Sequence, residues 1–317
     1  MMKQIKLFDP YTDKFEKIAI NRVLESNFWA SGSGNNNVKK FEERFSKYVN
    51  SKSSIAVNSG TAALNLTLSM YDIKNKEVIL PSLSFVATAN AILENGGIPK
   101  FADIDENTLC IDPKKISKLI SKKTKVILPV HFGGISSDLT EISKLCKDNK
   151  IKLIEDAAHA AGTSYKNNKI GSHGDLVCFS FHPVKNLAMP TGGLISINSK
   201  DHKKLSNILK EKRWCGITNR KGADYDVKAI GWNYYMNEFS AAIGLVQLKK
   251  LDNMNNKRKK IAEKYSNEIL LENKMSFDKG CSYHFYWIRV KNREQFREKL
   301  LKKGIETGIH YKPIHNF

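Results

Sequence analysis

From residue 77 to residue 214 the chain alternates short β-branched runs with amphipathic stretches, and nothing else in it constrains the fold as strongly. The pattern predicts strands at 77–80, 99–103, 125–131, 152–156, 175–181 and 194–197. Between and around them it predicts helices at 61–70, 84–95, 113–121, 137–149 and 200–214. Strands separated by helices of this length form βαβ units, so the sheet is expected to be mainly parallel, with helices on both faces. Ligands of such sheets bind beyond the carboxyl ends of the strands. Further on, 237–271 reads as one long helix, apolar at first and basic later, 282–290 alternates as a strand, and 293–303 is helical again. The long helix is expected to join a large domain, 1–240, to a smaller α/β one, 241–317.

Two of the predicted strands lead into reactive groups. The run Ile151-Lys-Leu-Ile-Glu-Asp156 ends on a carboxylate, and Lys185 follows the run 175–181 within Phe179-Ser-Phe-His-Pro-Val-Lys-Asn186. An amine and a carboxylate at two such strand ends are what pyridoxal phosphate (PLP) chemistry requires. The amine forms a Schiff base with the cofactor aldehyde, and the carboxylate keeps the pyridine nitrogen protonated so that the ring accepts electrons. Most lysines of this chain are expected to be solvated. Lys185 differs because its surroundings are apolar and turn-like. Asp156 has a plainer alternative as a helix N-cap, although a buried carboxylate calls for a cationic partner.

Other segments fit the same chemistry, each with an ordinary alternative. In Asn58-Ser-Gly-Thr-Ala-Ala-Leu64, small residues precede a helix, so free N–H groups near Gly60 and the Thr61 hydroxyl can face a phosphate. The alternative is a simple N-cap at Ser59 or Thr61. Phe85 can stack on a planar ring or fill the core. His159 can reach a cofactor oxygen or be a hydrogen-bonded core histidine. Ser180 lies close enough to Lys185 in sequence to join a phosphate site, and Gly192-Gly193 suits a sharp turn or a close backbone approach.

Composition narrows the rest. The net charge is 52 − 32 = +20, but the lysines are spread along the whole chain. The densest run, Lys257-Arg-Lys-Lys260, has no interleaved aromatics, so neither nucleic acid nor a membrane is expected as partner. Five widely spaced cysteines, with no Cys-x-x-Cys pair, suggest reduced thiols in the cytoplasm and no metal cluster. Residues 1–10 carry no signal-peptide pattern, and no apolar run approaches bilayer-spanning length.

Taken in order, these segments resemble the DegT/StrS family of nucleotide-sugar aminotransferases, PLP enzymes of fold type I. The resemblance also rests on Pro81-Ser-Leu-Ser-Phe-Val-Ala-Thr-Ala-Asn90, Phe101-Ala-Asp-Ile-Asp105, Pro129-Val-His-Phe-Gly133, Glu155-Asp-Ala-Ala-His159, Gly231-Trp-Asn-Tyr-Tyr-Met-Asn-Glu238 and Gly308-Ile-His-Tyr311. It implies a seven-stranded, mainly parallel sheet in a three-layer sandwich. It implies an amino group passed, with glutamate as donor, to a ketone of a nucleotide-linked deoxysugar in glycan or polysaccharide synthesis. By position, Lys185 resembles the Schiff-base lysine and proton shuttle, and Asp156 the pyridinium partner. His159 takes the place beside the ring oxygen, and Phe85 the stacking position. Gly60, Thr61 and Ser180 match phosphate contacts. Asn233 resembles the asparagine that enters the neighbouring subunit's phosphate site, which implies a homodimer with shared active sites.

Three departures from the family pattern stand out. Met189-Pro190-Thr191 precedes Gly192 where an acidic residue is usual, and Tyr235 stands where arginine is common. Relatives usually continue beyond the position of Phe317, so the smaller domain is expected to be incomplete. Two alternatives remain at this level: a sugar dehydratase on the same scaffold, whose single-PLP branch has histidine in place of the lysine, and a non-catalytic binding homologue.

Overall fold

The computed structural model describes residues 4–30 and 36–317. Its helices are α1 (Lys14–Ser26), α2 (Asn37–Val49), α3 (Gly60–Leu68), α4 (Ala87–Glu94), α5 (Pro113–Leu119), α6 (Leu139–Asp148), α7 (His202–Arg213), α8 (Glu238–Glu268) and α9 (Arg293–Lys302). The strands are β1 (Ser53–Val57), β2 (Glu77–Pro81), β3 (Ile98–Ala102), β4 (Thr124–Ile127), β5 (Lys152–Asp156), β6 (Ser164–Tyr165), β7 (Asn168–Lys169), β8 (Leu176–Ser180), β9 (Gly193–Ile197), β10 (Ile217–Lys221) and β11 (Asp224–Val227). Seven of them form one sheet in the order β1-β9-β8-β5-β4-β2-β3. Only β9 runs against the rest, pairing antiparallel with both β1 and β8.

The alternation of side chains along the strands explains the three layers. Ile55, Val57, Val78, Leu80, Val126, Ile154, Leu176 and Cys178 point to one face, where α3, α4 and Leu209 of α7 cover them. Their neighbours point the other way. Ala56, Val177, Phe179 and Leu194 meet α2 and α8, and Ile79, Ile127 and Leu153 meet α5 and α6. Phe181 belongs to the α2 face: it is fully buried, with its ring centroid 5.4 Å from that of Phe45 and 5.4 Å from that of Phe41. Burying such a side chain stabilises the fold by about 1.5–3 kcal/mol. It anchors the start of the segment that carries Lys185.

One predicted element does not form. Residues 282–290 contribute only an isolated bridge, Lys274 to Ile288, and no strand. Their backbone polar groups are used elsewhere. The N–H of Ser282 donates to Thr163 Oγ1 and that of His284 donates to the carbonyl of Gly133, while Arg258 Nη1 donates to the carbonyls of Tyr283 and His284. A segment whose donors and acceptors are taken by loops and a helix has none left for a ladder.

Candidate active site

Four of the parallel strands deliver a group to the same edge. β5 ends at Asp156, and His159 lies in the turn after it; Ser180 closes β8, with Lys185 in the turn beyond; Phe85 follows β2; and α3 begins at Gly60, three residues after β1. This is the carboxyl-end edge at which such sheets bind ligands.

Asp156 is 4% exposed. Its Oδ2 accepts from Thr88 Oγ1 at 2.9 Å and its Oδ1 from the N–H of Ala158 at 3.1 Å. Thr88 is itself 2.7 Å from Ser84 Oγ, in the loop before α4. Burial pushes the Asp156 carboxyl above the ordinary carboxylate range; the Ala158 N–H, the Thr88 hydroxyl and the charge of Lys185 oppose this. Lys185 is partly buried, and desolvation lowers its ammonium to about 8, against the pull of Asp156. A fraction of it is therefore the neutral, nucleophilic amine near neutral pH.

His159 is 5% exposed, with its ring between those of Phe132, His284, Phe285 and Tyr311. Its Nδ1 faces the N–H of Gly133 at 3.3 Å, and its Nε2 lies 2.9 Å from Tyr311 Oη. The backbone N–H can only donate, so Nδ1 accepts and the ring proton sits on Nε2, pointed at Tyr311. Burial and the charge of Lys185 hold the imidazole neutral, far below its ordinary value. Tyr311 also reaches Phe85, with ring centroids 5.8 Å apart, while Phe85 remains 55% exposed.

At the other end, Ser59 caps α3, its side chain accepting from the N–H of Ala62 at 3.0 Å. Gly60 touches β8 so closely that a Cβ there would stand 2.7 Å from Ser180 Cβ. A Cβ on Gly193 would overlap the Ser59 carbonyl, so the start of β9 presses on the same helix start. Thr61 is exposed on the first turn. Beside it lies an open cleft of about 510 Å³ lined by Asn58, Ser59, Thr191, Asn233, Tyr235 and Asn237. Asn233 is exposed on its rim, with its carbonyl accepting from Asn58 Nδ2 at 3.2 Å.

These features fit PLP. A buried carboxylate with no ion pair of its own among the described residues suits a ring N–H⁺. The helix start, with Gly60 against Ser180, suits a phosphate.

A family model described as the DegT/DnrJ/EryC1/StrS aminotransferase family matches residues 10–317. The chain belongs to this family. Like the other members it is a PLP-dependent aminotransferase of fold type I. It is 38% identical over 318 residues to a UDP-4-amino-4,6-dideoxy-N-acetyl-β-L-altrosamine transaminase of Campylobacter jejuni, a match covering 96% of this chain and 83% of the relative. Helicobacter pylori PseC, an aminotransferase involved in the biosynthesis of pseudoaminic acid, superposes with a TM-score of 0.92 at 32% identity, covering 99% of this chain and 86% of that one. Spr1654 of Streptococcus pneumoniae in its PLP form gives 0.93 at 27% identity, covering 99% and 86%.

Sequence reasoning singled out neither Thr88 nor Tyr311. No local signal marks Thr88, whose partner Ser84 lies before α4 begins at Ala87. No local signal predicts that Tyr311 reaches His159 across 152 positions.

Proposed function

We propose that this DegT-family enzyme moves an amino group from glutamate to a ketone of a nucleotide-linked deoxysugar, with Lys185 as the PLP-bearing lysine. The observation that carries the assignment is the placement of the buried Asp156 at the end of β5 and of the desolvated Lys185 in the turn that follows β8, the strand paired with it. Bound PLP supplies an electrophilic aldehyde and an electron-accepting ring. Asp156 would hold the proton on the ring nitrogen, with Asp156 itself held by Thr88 and the Ala158 N–H. Phe85 would stack on the ring, the neutral His159 would pair with its oxygen, and Gly60, Thr61 and Ser180 would hold the phosphate. The Lys185 amine would form the Schiff base and move the proton at the substrate carbon. Names of relatives point to a nucleotide-sugar substrate, as in the Campylobacter transaminase.

The reading is tested without sugar. Glutamate alone should convert the PLP of the loaded enzyme to its amine form with stoichiometric release of 2-oxoglutarate, and a nucleotide keto-sugar should then restore PLP. A cofactor spectrum unchanged by glutamate or any other amino acid would overturn it.

In our reading the large part, 1–240, holds the cofactor and 241–317 closes over it. The protein works in the cytoplasm as a homodimer in which Asn233 serves the partner's phosphate site. Support for the dimer lies in the exposure of Asn233, whose amide makes no hydrogen bond among the described residues. Mixing inactive Lys185→Ala and Asn233→Ala chains should then restore up to about a quarter of wild-type sites, because random pairing gives mixed dimers with one intact site each. No rescue despite proven subunit exchange would refute sharing.

A further inference from the structure

We propose that Asn255, in the middle of α8, is a positioning residue that locks the Lys185 turn to the loop after Asp156 and so sets where the lysine amine stands. The proposal rests on the assignment of Lys185 above and adds to it a residue outside the cofactor site. Asn255 is 6% exposed, and both ends of its amide are used. Its Oδ1 accepts from Asn186 Nδ2 at 2.8 Å, on the residue directly after Lys185. Its Nδ2 donates to the carbonyl of Ala161 at 3.0 Å, in the loop that carries His159.

The fit extends to the neighbours. Gly162 has φ +90°, and a Cβ there would overlap the Asn255 amide, so this glycine both makes the turn and admits the side chain. Asn186, 5% exposed, spends its second N–H on the carbonyl of Ser282 at 2.8 Å, and its Oδ1 lies 3.3 Å from His284 Nδ1. Ser282 in turn donates from Oγ to the carbonyl of His159 at 3.2 Å. Two separate bridges, one through Asn255 and one through Ser282, thus tie the same pair of loops. Buried amides whose groups are all paired have one favourable arrangement, and removing one partner strands the others. Solvation alone would not demand this: a solvent-facing lysine turn needs no such frame.

The test is capture of PLP by the cofactor-free full-length protein at a series of pH values, followed by the absorbance of the bound cofactor. Only the neutral amine attacks, so wild-type capture should rise with pH around a midpoint near 8. In Asn255→Ala the turn loosens and water reaches Lys185. Capture near neutral pH should fall about ten- to a hundredfold, the scale of an ångström of misplacement. Its midpoint should move up toward the ordinary lysine value of 10.5. Asn186→Ala, which breaks both bridges, should shift the midpoint at least as far, and the double variant no further than Asn186→Ala, because Asn255 reaches the Lys185 turn only through Asn186. If Asn255→Ala does not fold, the milder Asn255→Ser, which leaves the Asn186–Ser282 bond in place, decides by the same midpoint. An unmoved midpoint, even with a lower melting temperature, would reduce Asn255 to a structural role and overturn the proposal, as would additive shifts in the double variant. Lys185→Ala serves as the control: covalent capture by that variant would instead sink the assignment of Lys185.

Discussion

Replacing Lys185 by alanine should leave a folded protein that still takes up PLP but transfers no amino group at a useful rate. Its turn is held by Phe181, Asn186 and the backbone bond from the N–H of Lys185 to the carbonyl of His182, 2.8 Å, none of which needs the lysine side chain. Phosphate and ring contacts remain, so the cofactor binds, but it washes out on dialysis for lack of a covalent link. The glutamate half-reaction, followed by stopped flow, should slow by about 10²–10⁴-fold or more, since loss of a positioned proton carrier alone costs that much. Turnover within tenfold of wild type would mean that another group carries the proton.

Asp156→Asn should have opposite effects on catalysis and on the stability of the cofactor-free protein. Without a protonated ring nitrogen the electron sink is lost, and the half-reaction should fall by about 10²–10³-fold, as when a comparable electrostatic partner is removed. The cofactor-free protein behaves differently. Burial raises the folded-state value of this carboxyl above the ordinary 3.8. Its contribution to stability is therefore full in acid and lost as pH rises through the raised value. At neutral pH the buried carboxyl contributes less stability than in acid, a loss that asparagine avoids. The Thr88 hydroxyl can turn its proton to Ser84 and accept from the new amide, while the amide oxygen keeps the Ala158 N–H. The cofactor-free variant should thus melt higher than the cofactor-free wild type at neutral pH, with the advantage shrinking toward pH 3.8. A variant less stable at neutral pH, or near-normal turnover, would contradict the role of Asp156.

How much of this was legible depends on where the signal resides. The central strands were readable because buried parallel strands are short, apolar and separated by helices, and β2, β3, β5, β8 and β9 lie within two residues of the predicted ends. β1 was not predicted, although Ser53-Ser-Ile-Ala-Val57 is buried from its second residue on; its serines hide a strand that hydrogen-bonds to β9. Neither α1 nor α2 was predicted. The helix α2 pins Phe41 and Phe45 under Phe179 and Phe181, a contact that local periodicity does not announce. The alternation at 282–290 misled because it mimics a strand, whereas Ser282, His284 and Phe285 are placed by what they touch at the loops. The placement of Asp156, Lys185, His159, Ser180 and Gly60 was legible because each lies at or just after a strand end or opens a helix. The residues that hold them, Thr88, Tyr311, Asn186 and Asn255, were not, because buried polar contacts between distant segments leave no pattern along the chain.

The most direct measurement is reduction of the PLP-loaded protein with borohydride, followed by proteolysis and mass mapping of the pyridoxyl group. A single modified peptide is expected, with the group on Lys185 between Phe179 and Asn186. Modification of any other lysine, or none in protein shown to hold the cofactor, would contradict the assignment from which the roles of Asp156, His159 and Asn255 all follow.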